Sequence, residues 1–352
     1  MSNRNIYYLL DITVILCYLC VITAQHAAPF PPYSFRRSLD LNPADFHLDK
    51  ARGALLGLAV GDALGTTLEF STKDNYTPLT DMVGGGPFGL KPGEWTDDTS
   101  MALALADSLL SCGTLEPADL SARFCKWRYD GNYSHNGKCF DVGNTVSRSL
   151  EAFRRTGNSL SGSTDPDSAG NGSLMRLAPV ALFRAHDLEA CMDMARLQSR
   201  TTHGAEEAVS SCAAFALLLS DAICCGSLSK VMIPRTGSWS DKVARAMAME
   251  PLSWPRSRVR GSGYVIHSLE AAIWAVGNSS SFSEAVLLAA NLGEDADTTA
   301  AITGQLAGAI WGASTIPEAW LNKLAWRDRI VRIADKLHDC DLAHSRIVRN
   351  DA

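Results

Sequence analysis

An all-α fold follows from three features of this chain of 352 residues. Ala- and Leu-rich windows with apolar residues at helical spacing recur from Lys50 onward. Alternating runs of β-branched residues are hard to find, and Gly/Ser/Pro-rich loops separate the helical windows. The composition, 46% hydrophobic and 20% charged, supplies ample apolar material for a core and excludes disordered and collagen-like classes. Lys and Arg total 32 against 38 Asp and Glu, for a net charge of −6. Without a basic excess to neutralise a phosphate backbone, general nucleic-acid binding is excluded.

Taken in chain order, the first 45 residues stand apart. Residues 6–24 are almost continuously apolar, interrupted by Asp11 and two threonines, and the Pro-rich stretch Pro29-Phe30-Pro31-Pro32-Tyr33 follows. The apolar run fits a secretory signal, a short membrane anchor, or an arm that packs on this protein or a partner; the Pro-rich stretch cannot be a helix interior. Residues 1–45 are therefore an appendage, and 46–345 form one compact multi-helix domain. Its helices are predicted over 51–64, 99–111, 120–129, 142–155, 188–200, 205–225, 264–276, 282–292, 299–312 and 317–338, with Pro317 in the first turn of the last. Loops are predicted over 84–93, 156–172 and 226–263.

Ten cysteines are scattered through apolar helical stretches without the dense spacing of a disulfide framework. They are read as mostly buried free thiols in a reducing, cytoplasmic setting, export or membrane anchoring through 6–24 being the alternative.

Two helices carry a glycine at every fourth position: Gly53, Gly57, Gly61 and Gly65, then Gly304, Gly308 and Gly312. That spacing places each set along one helix face. A helical glycine costs about 1 kcal/mol relative to alanine, so the stripes call for a compensation, and close backbone approach is the one expected.

The chemistry gathers where helices begin. Thr96-Asp97-Asp98-Thr99 opens one helix, and Asp295-Ala296-Asp297-Thr298 opens the glycine-striped one. Asp and Thr are favoured helix caps, so capping is the competing explanation. Yet one cap needs one acceptor, and Thr96, Asp97, Asp98, Asp295, Asp297 and Thr298 offer six oxygen-bearing side chains. Brought together, the carboxylates repel unless a cation neutralises them. All-oxygen ligands select hard divalent ions, and four aspartates point to two Mg²⁺ or Mn²⁺ ions in a dinuclear centre.

These segments also carry a resemblance. Gly57-x-x-x-Gly61-Asp62-Ala63-Leu64-Gly65, Gly93-x-x-Thr96-Asp97-Asp98-Thr99, Gly170-Asn171-Gly172-Ser173-Leu174-Met175-Arg176, Ser199-Arg200-Thr201-Thr202-His203 and Gly293-x-Asp295-x-Asp297-Thr298 occur in order between about Lys50 and Gly312. Together they resemble the ADP-ribosylglycohydrolase family, and most nearly its dinitrogenase-reductase-activating glycohydrolase branch. The resemblance implies an all-α domain with a dinuclear metal centre at the base of a cleft, and metal ligands at Thr96, Asp97, Asp98, Asp295, Asp297 and Thr298. Glu69 matches an acidic position near the ions. The segment Cys139 to Thr145 resembles the one whose aspartate, here Asp141, faces the scissile ribose, which favours an arginine-linked substrate. Gly85, Gly86, Asn171, Gly172 and Ser173 look like phosphate- and ribose-facing positions, and His203 like a cleft-lining one. Tyr264 has two readings, stacking on adenine or packing as a core aromatic.

The activity so implied is hydrolysis of ADP-ribosylarginine on a protein, reversing a transferase in a regulatory or toxin-immunity setting. Asp97, Asp141 and Asp295 are the candidate catalytic carboxylates. A cognate ADP-ribosyltransferase docked through the amino-terminal arm is a possible partner, and the enzyme is expected to be a monomer. Serine-linked or O-acetyl ADP-ribose hydrolysis, and a non-catalytic crystallin-like role, are the alternatives. Arg176 has two readings, a phosphate ligand or a partner to an internal carboxylate. Asp62 is read as bonding a neighbouring helix terminus.

Overall fold

The computed structural model describes residues 43–350; the apolar segment 6–24 and the Pro-rich stretch lie outside the described residues. The helices are α1 (Pro43–Gly65), α2 (Asp97–Cys112), α3 (Pro117–Asp130), α4 (Asn144–Thr156), α5 (Ala178–Arg184), α6 (Leu188–Arg200) and α7 (Glu206–Cys225). They continue with α8 (Leu228–Val231), α9 (Asp241–Met247), α10 (Val265–Gly277), α11 (Phe282–Ala290), α12 (Ala296–Trp311), α13 (Glu318–Leu321) and α14 (Arg327–Asn350). Among the described residues there is no β-strand. Isolated bridges pair Gly85 with Leu90, Ser163 with His203 and Gly170 with Tyr264. The fold is all-α.

Its centre is the antiparallel pair α1 and α12, joined along the two glycine stripes. A Cβ on Gly57 would sit 2.1 Å from the Gly304 carbonyl oxygen, and one on Gly304 would sit 2.0 Å from that of Gly57. Gly53 and Gly308 face each other in the same way, and Gly61 and Gly65 lie against the Ala300 and Ala296 carbonyls. Nothing larger than hydrogen fits this seam, which is the compensation the spacing calls for. Residues Ala296 to Ile310 of α12 are buried throughout. Because the pair is antiparallel, the carboxyl end of α1, with Asp62 and the following Glu69, meets the amino end of α12. That meeting point becomes the site.

Helix boundaries differ from the sequence reading in places. The first helix begins at Pro43, α5 was not predicted, and the stretch 226–263 contains α8, α9 and a 3₁₀ turn at Glu250–Ser253. The helix predicted over 317–338 is two helices, with Pro317 the N-cap residue of α13 and a break before α14. The break has a tertiary cause. Ala325 donates its N–H to the Gly93 carbonyl (2.9 Å) and accepts from Trp95 Nε1 (3.1 Å), while Trp326 packs edge-on against Trp95 with a φ of 58°. Docking onto the Gly93–Trp95 loop takes the backbone groups that a continuous helix needs. Of the eight described cysteines, all free thiols, Cys191 and Cys212 are buried, Cys112 and Cys225 are exposed, and four are half-buried. The expectation that most are buried therefore does not hold. Helix α7 is long and apolar enough to cross a membrane, but most of it is buried inside the domain.

Candidate active site

Neither N-cap residue caps its own helix. Thr96 and Asp295 are the N-cap residues of α2 and α12, and neither side chain accepts from a backbone N–H of its own first turn; within the clusters the one such bond goes from Thr298 N–H to Asp297 Oδ1 (2.6 Å). Capping comes from elsewhere. Asp62, at the end of α1, accepts from the Thr96 and Thr99 backbone N–H groups (2.9 and 3.0 Å) and from both threonine hydroxyls (2.9 and 2.7 Å). Glu69 accepts from the N–H groups of Ala296 (2.8 Å) and Asp297 (3.4 Å). With the helix termini satisfied by α1 and its extension, the oxygens of the two clusters are free to face one another.

They do so at short range. Asp62, Asp98 and Asp297 form one group whose ligand atoms all lie within 4.8 Å of one another, and Glu69, Asp295 and Asp297 form a second. Asp297 belongs to both. Thr96 Oγ1 lies 3.3 Å from Asp98 Oδ2 and 3.4 Å from Asp297 Oδ2, and Thr298 Oγ1 lies 3.3 Å from Asp98 Oδ2. The Thr96 hydroxyl has one hydrogen and a closer acceptor in Asp62 at 2.9 Å, so its lone pairs are left for the aspartates' side. Asp98 Oδ1 is buried with no hydrogen-bond partner. A buried carboxylate oxygen with no hydrogen-bond partner, set among other carboxylate and hydroxyl oxygens, fits a hard cation. Asp62, with both oxygens already bonded, supports that set; it does not lead it.

Burial makes the repulsion acute. It is the largest cause raising Glu69 to about 12, followed by the charge of Asp297. Burial also lifts Asp62 and Asp141 to about 6 and Asp295 and Asp297 to about 7, and it holds Asp97 and Asp98 well above the usual carboxylate range. Protons or cations must neutralise such a cluster.

Above it opens a cavity of about 510 Å³, lined by Glu69, Phe70, Asp97, Asp141, Asp295, Thr298, Met175, His203 and the Gly170–Gly172 and Val142–Val146 segments. Asp141 reaches it with a φ of 56°, in the left-handed region that is uncommon outside glycine. Phe140 packs against Phe88 (centroids 5.5 Å apart) and His135 (6.0 Å), anchoring that loop. Asn171 donates to Asp295 (2.7 Å) and Ser268 (2.9 Å), so its amide orients the carboxylate.

The cavity thus gathers Glu69, Asp97, Asp141, Asn171, Gly172, His203, Asp295 and Thr298, with Thr96, Asp98 and Asp297 beneath. It does not gather every predicted residue. Ser173 is fully buried, its hydroxyl 2.9 Å from Ser199 Oγ, and it faces the core. Gly85 exchanges two backbone hydrogen bonds with Leu90, which uses the N–H an anion would need. Gly86 is pressed onto the Thr66 carbonyl. Neither glycine lines the cavity. Tyr264 lines a neighbouring lobe, where its hydroxyl bonds Glu207 and Lys242. Arg176 meets neither expectation: it is buried and bonded to Gln198, Thr201 and Thr202. Asp62 and Phe70 were not among the predicted site residues. The Gly61-Asp62 pair at the end of the glycine stripe was the available signal for Asp62, whereas Phe70 has none in its residue type.

The family model for ADP-ribosylglycohydrolase matches residues 43–346. The chain belongs to the ADP-ribosylglycohydrolase family. Among similar proteins, the ADP-ribosylarginine hydrolase Tri1 of Serratia proteamaculans (strain 568) is 47% identical, covering 84% of this chain and 81% of its own. Tri1 of Pseudomonas putida (strain GB-1) is 46% identical, with coverages of 88% and 83%. The ADP-ribosyl-[dinitrogen reductase] glycohydrolase of Rhodospirillum rubrum is 35% identical, covering 78% of this chain and 90% of its own. A solved structure described as an ADP-ribosylglycohydrolase-related protein complex superposes with a TM-score of 0.73 at 37% identity, covering 84% of this chain and 99% of that one. The protein is accordingly a hydrolase of the ADP-ribosylglycohydrolase family, and its acidic groups sit where that family's all-α fold brings two helix starts together.

Proposed function

We propose that this enzyme removes ADP-ribose from arginine side chains of a protein, reversing an ADP-ribosyltransferase. The single observation that carries this reading is Asp141, held in a strained conformation at the wall of a cavity whose floor is the acidic cluster. A carboxylate there suits a cationic guanidinium leaving group. Relatives at 46–47% identity named for ADP-ribosylarginine support the same linkage.

Two divalent hard cations, Mg²⁺ or Mn²⁺, fit the oxygen set of Thr96, Asp97, Asp98, Asp295, Asp297, Thr298 and Glu69. Such ions supply charge neutralisation and Lewis acidity at the ribose hydroxyls and at a nearby water. The chain's own groups do the rest. Asp97 and Asp295 border the cavity and orient the attacking water, Asp295 being fixed by Asn171. Asp141 pairs with the guanidinium. Water adds at the anomeric carbon as the carbon–nitrogen bond breaks through an oxocarbenium-like state, and a water proton ends on the released guanidine.

The test compares an arginine-ADP-ribosylated protein with a serine-ADP-ribosylated peptide, following free ADP-ribose. Release from arginine alone is the expected result. Release from serine alone would move the assignment to that linkage, and release from neither by a chain that still binds ADP-ribose would overturn the catalytic reading.

A further inference from the structure

His203 stands at the cavity wall with one ring nitrogen engaged and the other free. The residue is only 3% exposed, and Nδ1 lies 2.9 Å from Thr202 Oγ1. Nε2 has no hydrogen-bond partner among the described residues. The Nε2–Cε1 edge faces Gly170 and Gly172, where added Cβ atoms would lie 3.3 Å from Nε2 and 2.8 Å from Cε1. Both glycines line the cavity with it.

Which nitrogen carries the hydrogen is decided one residue away. Thr202 Oγ1 accepts from Arg176 Nη2 at 2.9 Å. A guanidinium has no acceptor, so the threonine's own hydrogen must point elsewhere. Its acceptor among the described residues is His203 Nδ1. Donation to Nδ1 is the arrangement that leaves no buried hydroxyl hydrogen without an acceptor, and it assigns the ring hydrogen to Nε2. Arg176 is held in turn by Gln198, through Nε to Oε1 (2.9 Å) and Nη2 to the carbonyl (3.1 Å), and it stacks 4.5 Å from the Phe124 ring centroid.

We propose that Arg176, acting through Thr202, is a positioning residue that fixes His203 as an Nε2–H donor to an acceptor oxygen of the ADP-ribose moiety. The identity of that ligand rests on the function proposed above; the tautomer does not. The opposite tautomer would turn a lone pair toward the same oxygen, a repulsive contact. Burial, and then the Arg176 charge, push His203 down to about 3, which keeps the ring neutral.

Long-range ¹H–¹⁵N NMR of the histidine rings in the full chain, without substrate, reads the tautomer directly. The expected result is a lone-pair-type Nδ1 and a protonated Nε2, unchanged between about pH 5.5 and 8.5 given the lowered pKa. Thr202→Val should give a mixture of tautomers, about tenfold weaker ADP-ribose binding by calorimetry, and a raised KM with kcat little altered. Thr202→Ser should restore all three. In a His203→Gln background, which carries its donor on an amide, Thr202→Val should change nothing further. A wild-type ring protonated on Nδ1, or Thr202→Val with unchanged tautomer and affinity, would overturn the inference. The expected tautomer and affinity pattern without release from arginine would leave this inference standing and overturn the proposed function alone.

Discussion

Replacing Gly57 with alanine should destabilise this enzyme although alanine is the better helix former. In an isolated helix the change gains about 1 kcal/mol. Here the new Cβ meets the Gly304 carbonyl oxygen at 2.1 Å, with Gly304 C at 2.9 Å and the Phe282 ring at 3.0 Å. Two helix backbones must part by about 1 Å before the contact becomes ordinary, and neither can move like the end of a flexible side chain. Overpacking of this kind costs about 3 kcal/mol, at the upper end of its range, leaving a net loss of about 2 kcal/mol. At about 2.1 cal/mol/K per residue over roughly 300 residues, the melting temperature should fall by about 3 °C. The same parting separates Asp62 and Glu69 from the start of α12, and a misplacement of about 1 Å is worth about 100-fold in turnover. Thermal denaturation and an ADP-ribose release assay on the purified variant read both effects. A variant that melts higher than wild type with turnover intact would show that the seam is not tight and that helix propensity alone sets the outcome.

Three further outcomes are expected. Asp62→Ala removes the acceptor for two backbone N–H groups and two hydroxyls, so it should cost at least about 2 kcal/mol by denaturant titration in EDTA, and metal-induced stabilisation should shrink as well. The rise in melting temperature on adding Mg²⁺ should grow from pH 5.5 to 8: Asp295 and Asp297, near 7, hold protons longer in the folded, metal-free protein than in the unfolded chain. The metal-free fold therefore loses stability as pH rises through that window, and a cation competing for the same oxygens gains by as much. An increment independent of pH would contradict this. Ser173→Ala should cost about 1 kcal/mol of stability through its lost bond to Ser199 and leave KM for the ADP-ribosylated substrate unchanged; a raised KM would return Ser173 to the site.

Much of the architecture is legible in local pattern. Glycine at every fourth position in two helices implies a close seam, because only contact with another backbone offsets the cost of those residues. Two Thr/Asp clusters at helix starts exceed what capping needs, and in the structure the N-cap side chains Thr96 and Asp295 leave their own first-turn N–H groups to Asp62 and Glu69. What decides that geometry is long-range and leaves no local trace: Glu69 caps a helix 227 positions away. Polar type also fails to give direction. Ser173 and Asn171 share one Gly-rich segment, yet Asn171 reaches Asp295 and Ser173 turns into the core. The break before α14 is hidden for the same reason, since it depends on Gly93 and Trp95, more than 200 positions earlier in the sequence.

The most direct test of the central claim, that oxygens from two helix starts hold the cations on which hydrolysis depends, concerns Asp297, the one residue common to both acidic groups. Release of ADP-ribose from an arginine-modified protein is measured for wild type and Asp297→Asn, after EDTA treatment and after Mg²⁺ or Mn²⁺ is restored. Wild-type activity should vanish with EDTA and return with metal, and the folded variant should be inactive in both conditions. Undiminished turnover by EDTA-treated wild type, or by Asp297→Asn, would contradict it.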